Sequence, residues 1–232
     1  MTTSSEYVRP QTAQQAALRE IRRWLLAGKL KPGDQVIQDV VAGELGVSVV
    51  PIREALKTLE SEGQLKYIPQ RGFFVNELSR EELLELCDIR SALETMAVDR
   101  ALPHVSQSDI KEMRDLITRM EAADKAGDVV EMIRLDRRFH FIVFEAAGLN
   151  QLTRIITLTW DQSDPYRAAF FNDPGHRAAN HPEHRKILAA VRKRDAAGVS
   201  ALLDEHRLGP VRRLSHLVED EKAGTTKGAA RN

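Results

Sequence analysis

The chain has 232 residues, of which 42% are hydrophobic and 29% charged, a balance that is typical of soluble globular proteins and excludes intrinsic disorder. Its formal net charge is zero, so bulk charge gives no indication of a nucleic-acid partner. No apolar run is long enough to span a membrane, the first residues lack a signal peptide's apolar stretch, and the single cysteine cannot form an internal disulfide, so we predict a cytoplasmic protein without a membrane partner.

The first third of the chain contains three predicted helices. After a predicted flexible arm at residues 1–10, the helices cover about residues 12–27, 38–45 and 49–62. Gly46 ends the second helix, Ser48 is placed to cap the third, and Gly63 ends the third in a left-handed conformation. The third helix has the apolar stripe that packs inward, formed by Ile52, Ala55, Leu56 and Leu59.

After residue 63 the hydrophobic period changes from that of a helix to that of a strand. Leu65 and Tyr67 alternate with polar neighbours, residues 69–72 form a predicted turn, and residues 73–75 form the returning strand. This hairpin follows two helices joined by the tight turn at residues 44–48. The pattern therefore predicts a winged helix-turn-helix.

The remaining chain shows no predicted strand and is expected to form an antiparallel bundle of about six helices. Capping residues place the starts of these helices at Ser79, Ser106, Asp128, Asn150, Asn180 and Asp195. The segment Asp173-Pro174-Gly175 is interpreted as a break, and the last helix is expected to reach Glu219 with a kink at Gly209-Pro210. The predicted fold class is thus mainly α, with domains at residues 11–77 and 79–220 and a disordered tail.

The outward face of the third helix has the residue types that bind DNA. The second helix of a helix-turn-helix enters the major groove, where Arg53 suits a guanine edge or a phosphate and Lys57 suits a phosphate. Ser48 at the helix N-terminus suits a phosphate as well. The complete predicted DNA-binding set is Ser48, Val49, Val50, Arg53, Lys57, Arg71 and Gly72. The alternative is that any three-helix domain with a hairpin would show the same caps and stripes.

All seven histidines lie after residue 100, which suggests that the two regions have different tasks. Asp136 and His140 are four residues apart in one predicted helix and therefore share a face. With His184 and His206 they would make a set of one carboxylate and three imidazoles, which suits Zn²⁺, Ni²⁺, Mn²⁺ or Fe²⁺. The alternative is that each is an ordinary solvated or core histidine.

The helix-turn-helix closely resembles the signature of the GntR family of bacterial transcription regulators. The matching residues are Gly46-Val47-Ser48, Pro51-Ile52-Arg53-Glu54-Ala55-Leu56, Leu59, Gly63, Gly72 and Val75. The helical remainder resembles the FCD effector domain of the FadR-like branch. The resemblance implies a homodimeric, ligand-responsive regulator, most often a repressor, that binds a pseudo-palindromic double-stranded operator and senses a small carboxylate.

The same resemblance implies a metal site and an effector-binding arginine. The segments Asp136–His140, Glu183–Leu188 and Asp204–His206 resemble the three metal-ligand segments of FCD domains, with Zn²⁺ as the first expectation. Arg90 matches the segment that often contributes the arginine, and a salt bridge with Glu94 at i+4 is the equal alternative. Weaker candidates for the effector pocket are Arg134, Arg137, Arg167, Trp160 and Tyr166. His104, His176 and His216 are predicted at the surface or an interface. His181 is predicted at the surface of a helix start, and the alternative is that it faces the cavity.

Two positions depart from the family pattern. Val49 stands where a basic residue usually follows the capping serine, and Asp39 stands where the preceding helix often has a basic residue. Both positions commonly contact DNA in the family, so we expect weaker phosphate binding and a larger share of the contact for Arg53, Lys57 and Arg71. Val49 is instead a candidate for packing on a thymine methyl group.

Three functional interpretations are compatible with these residues. The leading interpretation is a regulator that senses its effector at the metal, and the second is the same regulator with a purely structural metal or none. The third is a mononuclear metal hydrolase or oxygenase built on the bundle. We find no general base comparable to the Glu of a His-Glu-x-x-His helix, so we predict no catalytic residues.

Overall fold

A computed structural model describes residues 12–209 and 211 of the chain. The predicted arm, the predicted tail, Pro210 and His216 lie outside these residues. Helices are α1 (Ala13–Leu26), α2 (Gln38–Leu45), α3 (Val49–Ser61), α4 (Arg80–Ala101), α5 (Gln107–Ala126), α6 (Val129–Ala146), α7 (Asn150–Phe171), α8 (Pro174–Lys193) and α9 (residues 196–209), and strands are β1 (Gln35–Val36), β2 (Leu65–Ile68) and β3 (Gly72–Val75). The mainly helical fold class is confirmed. Among the described helices, none has both the length and the hydropathy that crossing a membrane requires.

The wing contains three strands in the order β1-β3-β2, not the two of the predicted hairpin. The additional strand pairs Gln35 with Phe74 and Val36 with Phe73 in antiparallel register. The side-chain amide of Gln35 also donates to the carbonyl of Arg71 at 2.6 Å, close to the wing tip. The strand just before α2 therefore ties the helix-turn-helix to the wing.

Buried apolar side chains form two clusters. The first joins α1, α2 and α3 to the sheet, with Ile21, Ile52 and Leu56 fully buried. The second fills the helical bundle from α4 to α9 around Phe139 and Phe144. Each helix thus has an apolar face that is covered by its own group of elements, as the periodic stripes predict.

Helix α8 begins earlier than the sequence predicts. The carboxylate of Asp173 accepts hydrogen bonds from the backbone N–H groups of Gly175 and His176, and Pro174 occupies the first turn, where its missing N–H costs little. The predicted break at residues 173–175 is therefore a helix start, and the predicted start at Asn180 is wrong. Pro182 lies inside the helix.

Other helix starts follow their capping residues. Ser79 and Ser106 form capping boxes at α4 and α5, and the carboxylate of Asp128 accepts from the third backbone N–H of α6. Asn150 is not a cap, because Leu149 occupies the N-cap position of α7. Ser48 is the N-cap of α3, but its side chain makes no capping hydrogen bond.

The helix-turn-helix packs directly on the bundle through α1, α6 and α7. The side-chain amide of Gln64, buried just after α3, donates to the carbonyl of Asp161 in α7 at 3.0 Å. The Tyr166 hydroxyl accepts from the backbone N–H of Leu78 and donates to its carbonyl, which fixes the segment before α4. Helix α7 therefore contacts both the end of α3 and the connection between the two clusters.

We expect that replacing Gly63 by alanine destabilises the fold by about 1–2 kcal/mol, because the residue has a left-handed backbone with φ +77°. A Cβ atom there would also lie 2.8 Å from the Gln162 side-chain nitrogen. Urea denaturation followed by circular dichroism measures the change in unfolding free energy. The matched control is Gly43→Ala inside α2, where a Cβ meets nothing within 4 Å. This control is expected to stabilise the chain by up to about 1 kcal/mol, and equal effects of the two variants would contradict the prediction.

Candidate metal centre and DNA-binding surface

Four side chains from three helices converge at one point in the bundle. Asp136 and His140 come from α6, His184 from α8 and His206 from α9, and one potential ligand atom of each lies within 4.8 Å of all the others. The Nε2 atom of His184 lies 2.8 Å from Oδ1 of Asp136, and the Nε2 atoms of the other two histidines lie 3.8 Å from it. Ligand atoms at about 2.1 Å around one tetrahedral ion lie about 3.4 Å apart, so these distances match a mononuclear site.

Hydrogen bonds on the far side of two rings determine which nitrogen faces the centre. Nδ1 of His184 lies 3.0 Å from the carbonyl of Asn180, and Nδ1 of His206 lies 2.7 Å from a carboxylate oxygen of Glu183. Since these acceptors require an N–H at Nδ1, a neutral ring has its lone pair at Nε2, directed towards Asp136. The Nε2 lone pair and the carboxylate oxygen of Asp136 are both hydrogen-bond acceptors, so a cation or a proton is needed between them.

His140 provides the clearest evidence that a group is expected here. Both of its ring nitrogens are buried and have no hydrogen-bond partner within the described part of the chain. Burial lowers the pKa of His140 to about 4, so the ring is neutral at pH 7, which is the form that binds a metal. An unpaired buried polar group costs about 1–3 kcal/mol. A divalent ion bound by Nε2 of His140 would remove part of that cost.

Asp136 is charged although it is almost completely buried. Burial opposes ionisation, but the guanidinium of Arg167 and the three nearby histidine side chains hold the pKa of Asp136 well below its usual range. Arg167 donates to Oδ2, whereas the histidines surround Oδ1. The carboxylate therefore lies between an arginine on one side and the histidine cluster on the other.

A cavity of about 60 Å³ adjoins the cluster, enough for about four water molecules or a small ligand. Its lining includes Asp136, His140, His206, Arg90, Glu94, Cys87, Trp160, Tyr166, Arg167 and Arg207. The cavity thus brings potential metal ligands together with three arginines and the aromatic rings of Trp160, Tyr166 and Phe171. The pocket-lining prediction is met by Trp160 and Tyr166.

Arg90 makes the predicted ion pair and also lines the cavity. Its Nε donates to Glu94 at 2.9 Å, a terminal nitrogen donates to Ser163 at 3.2 Å, and the guanidinium lies over the Trp160 ring at 4.3 Å from its centroid. Burial opposes ionisation of Glu94, but Arg90 and Arg207 outweigh it and lower the pKa of Glu94 to about 2. The ion pair with Glu94 and a contact between Arg90 and an effector in the cavity are therefore compatible with each other. The effector role of Arg90 stays a prediction.

Sequence reasoning missed Arg207, which donates to Glu94 and to Asp204, each at 2.6 Å. Its Nε is buried and has no partner among residues 12–209 and 211. The position directly after a metal-ligand histidine was the available signal. Among the three weaker arginine candidates, Arg167 alone lines the cavity, because Arg134 pairs with Glu131 at the surface and Arg137 pairs with Asp161 and Asp164.

The remaining histidines do not all lie at the surface as predicted. His104 is exposed. His176 stacks on Phe170 at 4.6 Å between centroids, and Nε2 of His181 lies 2.8 Å from a carboxylate oxygen of Asp124. The surface prediction for His181 is wrong because α8 already includes residue 181, and the helix holds its ring against α5.

The predicted DNA-binding residues lie along α3 and the wing. Ser48, Val50, Arg53, Lys57 and Arg71 are exposed, whereas Val49 and Gly72 are half-buried. Val49 packs against the core of the helix-turn-helix, so its candidacy for a thymine methyl group is weakened. Lys57 pairs with Glu54 at 3.2 Å, and Nε of Arg53 donates to the Gln38 side chain at 3.2 Å. Arg71 lies at the wing tip with its guanidinium over the Phe74 ring, 5.1 Å from the centroid.

Comparisons with known proteins match two parts of the chain to two family models. The family model of bacterial regulatory proteins of the gntR family matches residues 13–75, and that of the FCD domain matches residues 85–208. The chain is 29% identical over 188 residues to the HTH-type transcriptional regulator McbR of Escherichia coli strain K12, covering 80% of this chain and 85% of that protein. It is 33% identical over 182 residues to the Nta operon transcriptional regulator of Aminobacter aminovorans, covering 76% and 84%. The solved structure of E. coli McbR/YncC superposes with a TM-score of 0.76 at 25% identity, covering 92% of this chain and all of that one.

We expect the purified chain to bind a single divalent ion and to lose it when His140 or His184 is replaced by alanine, because each change removes one ligand. Metal content measured by inductively coupled plasma mass spectrometry checks this. Replacing Glu183 by glutamine is expected to weaken metal affinity about 10-fold, because it weakens the hydrogen bond that orients His206. His104→Ala is the matched control, and equal metal content in the control and in His140→Ala would contradict the assignment.

Proposed function

Because the chain belongs to the GntR family of bacterial regulatory proteins and contains an FCD domain, we propose that it is a homodimeric repressor whose operator binding responds to a small carboxylate held beside a divalent metal ion. It is a DNA-binding transcription regulator, as its relatives are, and not an enzyme. We assign operator binding to residues 11–77 and effector binding to residues 79–220.

One observation supports the sensing role above the others. The ligand cluster around Asp136 opens on the cavity that Arg90, Arg167 and Arg207 also line. Guanidinium groups bind carboxylates through paired, charge-assisted hydrogen bonds. An ion held by Asp136 and the three histidines would offer a Lewis-acidic position to a ligand oxygen. The same cavity can thus bind a carboxylate ligand through both the arginines and the metal ion.

The wall of the cavity provides a route to the DNA-binding region. Trp160, Tyr166 and Arg167 of α7 line the cavity, and the neighbouring Asp161 carbonyl accepts the hydrogen bond from Gln64. A ligand that favours one position of α7 would therefore favour one position of the helix-turn-helix. Such a shift requires that the ligand bind the two arrangements with different affinity.

Two-fold symmetry is the expected basis for a pseudo-palindromic operator. Exposed apolar side chains on the bundle support a subunit interface there. Ile89 and Met96 on α4 are 44% and 53% exposed, and Ile155 on the adjacent α7 is 47% exposed. We propose that this face packs against a second copy of the chain.

The alternative of a purely structural metal is favoured by the number of ligands. Four protein ligands fill a tetrahedral zinc site, and such closed sites are structural. An effector oxygen can bind only if the metal ion becomes five- or six-coordinate. Zn²⁺ remains our first expectation, and Ni²⁺, Mn²⁺ or Fe²⁺ would accept the larger coordination number more readily.

We expect at least one short carboxylic acid to raise the melting temperature in the presence of metal, to lose that effect when a chelator is added, and to change operator affinity. Thermal-shift screening of mono-, di- and hydroxycarboxylic acids identifies the ligand, and fluorescence anisotropy with labelled operator measures the response. Arg90→Lys is expected to weaken ligand binding about 10-fold or more, because lysine cannot form the paired hydrogen bonds.

Arg134→Lys is the matched control, since Arg134 is exposed and lies outside the cavity. A bound acid that leaves operator affinity unchanged would contradict the sensing role. Unfolding of His184→Ala and His206→Ala would support the structural metal, whereas folded variants that lose only the response would support sensing.

A separate prediction concerns Gln64→Met, which removes the hydrogen bond to the Asp161 carbonyl while keeping a similar side-chain volume. One net hydrogen bond contributes about 1 kcal/mol, so we expect the effect of ligand on operator affinity to change about fivefold. Metal and ligand binding, measured by isothermal titration calorimetry, should stay unchanged. Gln107→Met at the exposed start of α5 is the control, and an unaltered response in Gln64→Met would contradict the proposed route.

A further inference from the structure

Among the described residues, Val50 has the largest exposed fraction of any large apolar side chain, at 68%. It is the second residue of α3 and lies one turn before Arg53 on the same outward face. Exposed apolar side chains at a binding surface indicate contact with an apolar group of the partner. In the major groove of DNA, that group is the C5 methyl of thymine.

Two further apolar side chains lie at the start of α2. Ile37 is its N-cap residue and Val40 lies in its first turn, and they are 52% and 54% exposed. Helix α2 meets α3 at this end, because Gln38 accepts the hydrogen bond from Arg53. The surface around Arg53 is therefore more apolar than contacts with the DNA phosphates alone would require.

Gln38 restrains the guanidinium that lies beside Val50. Its side-chain oxygen accepts from Nε of Arg53 at 3.2 Å, and the two terminal nitrogens of Arg53 have no partner within residues 12–209 and 211. A guanidinium held in this way keeps its donors for the O6 and N7 acceptors of guanine. Gln38 acts on recognition through Arg53, which makes it a positioning residue.

We propose that Val50 recognises a thymine through its C5 methyl group in each operator half-site, and that Gln38 orients Arg53 towards a guanine within about two base pairs of it. The inference rests on the proposed function, since it requires operator binding. Position 39 is acidic and position 49 is uncharged, so phosphate contacts contribute less and contacts to the bases contribute more.

The test begins with operator duplexes selected from a random pool by the full-length protein. Each thymine is then replaced singly by deoxyuridine, which removes only the methyl group, and affinity is measured by fluorescence anisotropy. We expect about a fivefold loss at one symmetry-related position in each half-site for the wild-type chain, and no loss at that position for Val50→Ala. Leu149→Ala, an exposed apolar change at the start of α7 and outside the proposed subunit interface, is expected to keep the wild-type pattern.

The role of Gln38 is tested with 7-deazaguanine, which lacks the N7 acceptor, at each guanine of the same duplex. The wild-type chain should lose affinity at the guanine near the thymine. The ratio of the affinities for the guanine and 7-deazaguanine duplexes measures this discrimination. Gln38→Met should reduce the ratio, and Gln38→Glu, which keeps an acceptor for Nε of Arg53, should preserve it. Circular dichroism confirms that each variant is folded.

The outcomes distinguish failure of the inference for Val50 or Gln38 from failure of the proposed function. Deoxyuridine sensitivity that is the same in Val50→Ala as in the wild type, or that occurs at no position, overturns the inference for Val50. Equal 7-deazaguanine discrimination in Gln38→Met and the wild type overturns it for Gln38. A chain that selects no duplex at all contradicts the proposed function and with it this inference.

Discussion

The buried carboxylate of Asp136 is the interaction on which the arrangement of the bundle depends. One oxygen faces three histidines from α6, α8 and α9, and the other accepts from Arg167 of α7. A charge so deeply buried is tolerated only when hydrogen bonds or ions of opposite charge surround it. This requirement fixes the positions of α6, α7, α8 and α9 relative to one another. The cavity is the space left unfilled beside the carboxylate.

Much of the fold could be predicted because its signals are local. Capping residues such as Ser79 and Ser106 determine helix starts within one turn, and the i, i+3, i+4 stripe on α3 indicates its buried face. Asp136 and His140 could be paired because residues four apart on a helix share a face. That His184 and His206 join them depended on the resemblance to FCD domains, since spacing along the chain says nothing about which helices pack together.

The features that escaped prediction depend on contacts between distant residues. Strand β1 has two residues, too few for a visible alternation, and it exists because β3 offers an edge to pair with. The start of α8 was missed because Asp173-Pro174-Gly175 is equally typical of a turn and of a capped helix start. Arg207 escaped because its partner Glu94 is far away in sequence, and the partial burial of His181 follows from the position of α8 against α5.

The hydrogen bond between Gln64 and α7 has a mechanical consequence. It is made three residues after the end of α3, with only Glu62 and Gly63 between, so the anchored point and the helix move together. Helix α3 has 13 residues and is therefore about 20 Å long. A tilt of about 10° around the anchored end displaces the opposite end by about 3.4 Å, which equals the rise of one base pair. Under the proposed coupling, a small rotation of α7 would therefore move the end of α3 that contains Val50 and Arg53 by about one base-pair step relative to bound DNA.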